Sequence, residues 1–401
     1  MSLNCVENET FEKYKVKIET IVDQLLTGKK HLAIWGSGEN GERFKRYCDA
    51  IHVPVRYFVD NDSELWGTVR WEVPIISPDE LCHMEDIIVL ISFPGSKAVQ
   101  EVSAQIEEMG KAILFFDDNL FYLLQNTVCC RLETAANAIT SMYKTVNDDK
   151  YLHIPILSPA LVTTKCNLKC KDCILRIPYL KEHKDADADL IWADLDRTLE
   201  IVDSIKTLEV CGETFLYKDS ISFLNRAKDY KQILNICVIT NGTIVPDDSV
   251  FDVMRNSNVV LKISNYGDIS NKISVLEGKC REKAIPCFVQ DCSWFDLSPK
   301  KDLNYSQEAL EKLFDGCNIK DCCIRNWNGS IYRCGFQRVW GDAGLVDDVE
   351  LLQKDGVNLN DRTNDEILKR RLKEYLTTTV PFEICKYCRG NTSPIPRAIQ
   401  Q

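Results

Sequence analysis

Cys166, Cys170 and Cys173 place three thiols within eight residues, in the segment Thr163-Thr164-Lys165-Cys166-Asn167-Leu168-Lys169-Cys170-Lys171-Asp172-Cys173. A cubane iron–sulfur cluster normally takes four cysteines. Three leave one iron open, and an open coordination site is what a reacting ligand needs. The rival use of these thiols is zinc, which asks for a fourth close ligand. The next cysteine downstream is Cys211.

A second group lies in the last quarter: Cys317, Cys322, Cys323, Cys334, Cys385 and Cys388. Asn328-Gly329 is a strong hairpin turn signal, so Ile324–Trp327 and Ser330–Arg333 are expected as two short strands. Cys317 and Cys334 flank that hairpin, and Cys385-Lys386-Tyr387-Cys388 adds two thiols. Cys317, Cys334, Cys385 and Cys388 suffice for one cluster or for a structural zinc ribbon, since the ligand sets overlap. Either Cys322 or Cys323 can stand in for Cys317.

A third pattern is Gly36-Ser37-Gly38-Glu39-Asn40-Gly41, after the apolar run His31–Trp35. A G-x-G-x-x-G between strand and helix can cradle a phosphate at the helix N-terminus. Asp60, at the end of the next apolar run, is placed for a ribose hydroxyl.

These patterns need elements to hold them. Residues 30–120 alternate strand-length apolar runs (His31–Trp35, Val55–Val59, Ile87–Ser92, Ala112–Phe116) with helix-permissive segments (Gly41–Ala50, Pro78–Cys82, Ser96–Met109). That alternation predicts a parallel α/β sheet. A second series begins near Ile154. Its strands are expected at Ala160–Thr163, Leu208–Cys211, Asn235–Ile239, Val259–Ile263 and Pro286–Val289, with helices at Asp194–Ser204 and Ile221–Tyr230. This predicts a partial (β/α)6 TIM-type barrel with its chemistry at the strand C-termini. The expected division is a Rossmann-like domain over 1–125, a helical linker over 126–150, the partial barrel over 151–300 and a small cysteine-rich β-hairpin/helix domain over 301–401.

Composition sets the limits. A chain of 401 residues exceeds one ordinary core. Its net charge of −11 argues against broad nucleic-acid or membrane-surface binding. The polar N-terminus and the lack of a long apolar run lead us to expect a cytoplasmic protein. There, 19 cysteines are better used on metal than in disulfides. The five histidines form no close pair, so a histidine-based metal site is not expected.

CNLKCKDC resembles the CxxxCxxC signature of the radical S-adenosylmethionine (SAM) superfamily. The resemblance implies that Cys166, Cys170 and Cys173 hold a [4Fe-4S] cluster whose open iron chelates SAM. Reductive cleavage then yields methionine and a 5′-deoxyadenosyl radical that abstracts hydrogen from substrate. Asp172 stands where the family usually has an aromatic residue. Leu208–Leu216 resembles the family's GGEPxL element, with Cys211 for the first glycine and Thr214 for the proline. Thr240-Asn241-Gly242 resembles a TNG strand end. By this likeness Gly212, Glu213, Asn241 and Ser264 contact SAM.

Cys317, Gly329 and Cys334 fit the C-x(9–15)-G-x4-C hairpin of SPASM and Twitch domains, and the four-cysteine count resembles the single-cluster Twitch form. Residues 36–81, through Pro74–Leu81 (PIISPDEL), also resemble the N-terminal domain of acyltransferases that modify nucleotide-sugars. Gly36, Gly38, Gly41 and Asp60 would then meet a nucleotide. Together these likenesses imply oxidation or epimerisation of a carbohydrate or nucleotide-sugar. In that chemistry the auxiliary cluster accepts an electron, and a flavodoxin or ferredoxin supplies the reducing one. Arg176, Tyr179, Cys292 and Trp294 are the candidate substrate contacts, with Cys292 a possible hydrogen donor. The alternatives are a peptide maturase, an enzyme activase, or a zinc-binding interaction protein.

Overall fold

Alternation of apolar and polar segments does build the two parallel sheets. The computed structural model describes residues 24–25, 27–50, 53–92, 96–114, 150–158, 161–255, 257–291, 294–296, 302–317, 319–322, 324–344, 355–390 and 394–401. The chain divides into two compact units, Met1–Asp148 and Asp149–Gln401. The expected linker at 126–150 lies almost wholly outside the described residues.

The first unit contains β1 (His31–Trp35), α1 (Glu39–Ala50), β2 (Val55–Val59), β3 (Val69–Arg70), β4 (Val73–Ile76), α2 (Pro78–Cys82), β5 (Ile87–Ile91), α3 (Ser96–Glu108) and β6 (Ala112–Leu114). The sheet order is β3-β4-β2-β1-β5-β6. All neighbours are parallel except β3 and β4. Strand order reverses between β1 and β5, beside the glycine turn that follows β1. Helix α2 starts with Ser77 and Glu80 in a reciprocal capping box.

The second unit contains β7 (His153–Ser158), α4 (Ala188–Ile201), β8 (Ser204–Val210), α5 (Ser220–Asp229), β9 (Ile233–Thr240), α6 (Asp248–Met254), β10 (Val259–Ser264), α7 (Ile273–Glu282), β11 (Cys287–Gln290) and β12 (Trp294–Phe295). It continues with α8 (Gln307–Asp315), α9 (Ile319–Cys322), β13 (Ile324–Trp327), β14 (Ser330–Tyr332), α10 (Phe336–Asp342), β15 (Gly356–Asn358), α11 (Asp365–Thr377) and β16 (Pro394–Ile395). The large sheet runs β11-β10-β9-β8-β7-β13-β14-β15. Strands β7 to β11 are parallel neighbours in chain order. The sixth parallel position belongs to β13, which pairs with β7 at the opposite side from β11. The expected six-strand barrel therefore appears as an open sheet whose last parallel strand comes from the cysteine-rich region. The sheet crosses the expected boundary at residue 300.

The first strand of the series is His153–Ser158, not Ala160–Thr163. Leu161, Val162 and Thr163 are buried, but as loop. Val162 accepts the Ala186 N–H, and Thr163 Oγ1 donates to Asp185. Burial without a ladder explains why an apolar run there mimics a strand. Helix α4 begins earlier and ends earlier than expected, because the Asp187 side chain caps it and Ser204 already opens β8.

Register divides the large sheet into two faces. Ile324, Leu157, Leu208, Ile236 and Val259 form a row across five strands. All belong to the core beneath the helices, with Trp192, Leu195, Phe223, Phe251, Leu276 and Leu368. The next residues along, Arg325, Ser158, Glu209 and Cys237, therefore point to the other face. Two contacts tie helix α4 to the hairpin turn and to the segment that follows β15. Gly329 N–H donates to Asp194 at 2.7 Å, and the buried Arg197 reaches the Leu359 carbonyl at 2.7 Å and Asp365 at 2.6 Å. Asn328 and Gly329 both have positive φ (46° and 70°), as their turn requires.

Candidate functional site

Cys166, Cys170 and Cys173 lie on the loop that leaves β7. Because β7 to β10 are parallel, Glu213, Asn241 and Ser264 sit at the same end of the sheet. The Glu213 carboxylate is 1% exposed. It accepts the Thr240 hydroxyl at 2.8 Å and the Asn241 N–H at 2.8 Å, tying the end of β8 to that of β9. Burial raises its pKa, against these hydrogen bonds. The Asn241 amide then donates to Cys166 Sγ at 3.7 Å and to Asn167 Oδ1 at 3.0 Å. Ser264 is buried, and its carbonyl accepts Ser270 Oγ at 3.0 Å.

Gly212 has φ +103°, and a Cβ there would lie 2.5 Å from the Thr163 carbonyl oxygen. Its neighbour is thus the start of the cysteine loop itself, where the sequence led us to expect a bound ligand. Thr214 closes its turn by donating to the Val210 carbonyl at 3.0 Å.

The tail of the chain also holds this loop, which the sequence did not reveal. Lys171 N–H donates to the Ile399 carbonyl at 2.8 Å, and Gln401 N–H to the Lys169 carbonyl at 3.0 Å. The Gln400 amide donates to Cys170 Sγ at 3.2 Å. Tyr179 belongs to the same framework. Its hydroxyl donates to the Lys171 carbonyl at 2.7 Å and meets Gln401 at 3.3 Å. Arg176 follows the loop with φ +51°, and its buried Nε has no hydrogen-bond partner. Trp294 lies in β12, paired with β16 and edge-on to Tyr266 at 5.5 Å. Cys292 lies outside the described residues.

Burial pushes the Cys166 thiol up to about 11, with Glu213 and Cys173 adding to the rise and the Leu168 N–H and Asn241 opposing it. Burial also raises Cys170 and Cys173. The second group converges from three elements. Cys334 is raised mainly by burial and then by Cys385, Cys388 and Cys317, so all four thiols share one neighbourhood. Cys385 is pushed to about 12 and Cys388 to about 11, again by burial first. They pack on Phe314, Phe336, Trp340, Phe382 and Ile384. The Cys322 side chain and Cys323 are outside the described residues.

No three or more His, Cys, Asp or Glu side chains among the described residues stand as ligands of a single metal ion. Ligands sharing one zinc at about 2.3 Å must bring their sulfurs within roughly 3.8 Å of one another. Each thiolate of a cubane instead holds its own iron. The donors are all sulfur and at most partly exposed. Backbone and amide N–H groups point at Cys166, Cys170 and Cys388. That donor set fits iron–sulfur clusters.

The glycine turn of the first unit is internally satisfied. Asp60 accepts the Ser37 N–H at 3.0 Å and the Ser37 hydroxyl at 2.6 Å, and Arg70 donates to the Ser37 carbonyl at 2.8 Å. Gly41 is needed because a Cβ would lie 2.1 Å from the Gly36 carbonyl. Gly36 itself has φ +102°.

No protein-family model and no curated protein sequence matches this chain. Among solved structures, BtrN in complex with AdoMet and 2-DOIA aligns at 14% identity over 61% of this chain and 97% of that one, with TM-score 0.33. SuiB of Streptococcus suis bound to precursor peptide SuiA aligns at 18% identity over 56% and 49%, with TM-score 0.28. The FkbM methyltransferase of Methylobacillus flagellatus aligns at 12% identity over 70% and 88%, with TM-score 0.23. At these scores, function has to be argued from the chain's own residues.

Proposed function

We propose that the chain is a radical SAM enzyme with one auxiliary iron–sulfur cluster, acting on a carbohydrate or nucleotide-sugar by oxidation or epimerisation. One observation carries the first part. Seven cysteines separated by up to 222 positions gather into a group of three at the strand ends and a group of four, three of which pack against an aromatic cluster.

Cys166, Cys170 and Cys173 would hold the first cluster, and Cys317, Cys334, Cys385 and Cys388 the second. The first three thiolates would hold a cluster that, when reduced, would supply the electron for reductive cleavage of SAM to methionine and a 5′-deoxyadenosyl radical. The chain's own residues orient and exclude water. Glu213 and Asn241 lock the β8 and β9 ends beside Cys166, and Ser264 and Gly212 complete the floor of the same end. The carbohydrate part rests on the single-cluster cysteine count. Co-purification with a peptide would instead favour a maturase.

The test is iron and sulfide content after anaerobic reconstitution, with 5′-deoxyadenosine formation from SAM and dithionite. Wild type should bind about eight irons, and the Cys166/Cys170/Cys173→Ala variant about four with deoxyadenosine lost. Zinc without iron, and no deoxyadenosine, would end this reading.

A further inference from the structure

We propose that Arg325 anchors an anionic group of the substrate, a carboxylate or a phosphoryl group, on the inner face of the large sheet. Calling that ligand the substrate rests on the enzyme reading above; the anion site itself does not.

Arg325 is 1% exposed. A guanidinium keeps its charge in any protein setting. Its Nε and Nη1 have no hydrogen-bond partner. Its direction follows from its neighbours. Ile324 lies in the core beneath the helices, and the Asn326 amide bonds to Thr198 on α4. Arg325, between them, faces away from the helices. There it stands in register with Ser158, the last residue of β7, so it lies at the end from which the cysteine loop departs.

A carboxylate does lie on that face, but it is already engaged. Glu209 accepts Lys262 Nζ at 3.1 Å and the Ser158 hydroxyl at 3.4 Å. A buried charge without a counter-charge is strongly disfavoured. A bound anion would supply the missing counter-charge. The ligand must then carry negative charge and acceptor oxygens. Arg325 is a positioning residue here, since it can hold the ligand without touching the reacting bond.

The experiment uses the anaerobically reconstituted full chain, with inorganic phosphate and acetate as probes for the two oxyanions. Thermal unfolding is followed against each anion for wild type, Arg325→Gln and Arg325→Lys. Wild type should show a saturable rise with one of them. Arg325→Gln should weaken its apparent affinity about tenfold or more, with Arg325→Lys in between. Without anion, Arg325→Gln should unfold no lower than wild type, because it removes an uncompensated charge. No saturable rise with either anion, or the same rise in Arg325→Gln, overturns the proposal. So does weaker SAM binding in Arg325→Gln, because the anion would then be the carboxylate of SAM. Deoxyadenosine formation is measured in the same preparations. If wild type forms it and no anion effect is seen, only this inference fails. An anion effect without deoxyadenosine in wild type overturns the word substrate and the enzyme reading together.

Discussion

Gly212 shows how one atom decides the first cysteine loop. Any side chain there meets the Thr163 carbonyl at 2.5 Å while the backbone holds φ +103°. Backbone oxygen cannot rotate away as a flexible side chain can, so the loop start must move. Gly212→Ala should cost about 1–3 kcal/mol from the strained conformation alone. It should also deplete iron at Cys166, Cys170 and Cys173 while sparing the other four cysteines. Iron counting and thermal unfolding of the variant check both. A variant with full iron and unchanged unfolding would show that the close approach does not matter. The sequence marked Gly212 as a close-approach residue, but the partner it approaches lies 49 positions earlier and only folding brings them together.

Among the elements, the carboxyl-terminal segment carries a role that its composition conceals. Ile399 and Gln401 clasp Lys171 and Lys169 through backbone hydrogen bonds, and the Gln400 side-chain oxygen accepts the Lys169 N–H at 2.8 Å. The Gln400 amide at 3.2 Å is a hydrogen-bond donor to the Cys170 sulfur. Hydrogen bonds to cluster sulfurs help set the reduction potential, because they favour the more negative, reduced state. Gln400→Ala should therefore lower the potential of the proposed cluster on Cys166, Cys170 and Cys173 and leave that of the proposed second cluster unchanged. An EPR-monitored redox titration reads this directly, and an unmoved potential would reduce Gln400 to a packing role. A terminal Ala-Ile-Gln-Gln has no periodicity to announce such a role. The hairpin was legible for the opposite reason: Asn328-Gly329 fixes its turn locally. Its partner strand was not, since pairing of β13 with β7 joins residues more than 160 apart.

For the second unit as a whole, stability should depend on pH through His153. Burial, and then Lys206, pulls its pKa down to about 4. It contacts the Ser204 hydroxyl at 2.7 Å across β7 and β8. The folded state thus holds His153 neutral, while the unfolded chain takes up a proton below about 6.5. The unfolded state binds more protons between those values, so stability falls as pH drops through that window, by up to about 1.4 kcal/mol per pH unit. His153→Gln should flatten that limb relative to wild type in urea unfolding at pH 4.5–7. Parallel pH profiles would show that His153 is not the group responsible. Sequence by itself determined the α/β alternation, the grouping of thiols by local spacing and the Asn-Gly turn, because these depend on residues a few positions apart. Tertiary structure decided that β13 supplies the sixth parallel strand and that Arg325 is buried with two nitrogen atoms unpartnered. Those outcomes depend on register and burial between distant segments, which no local pattern encodes.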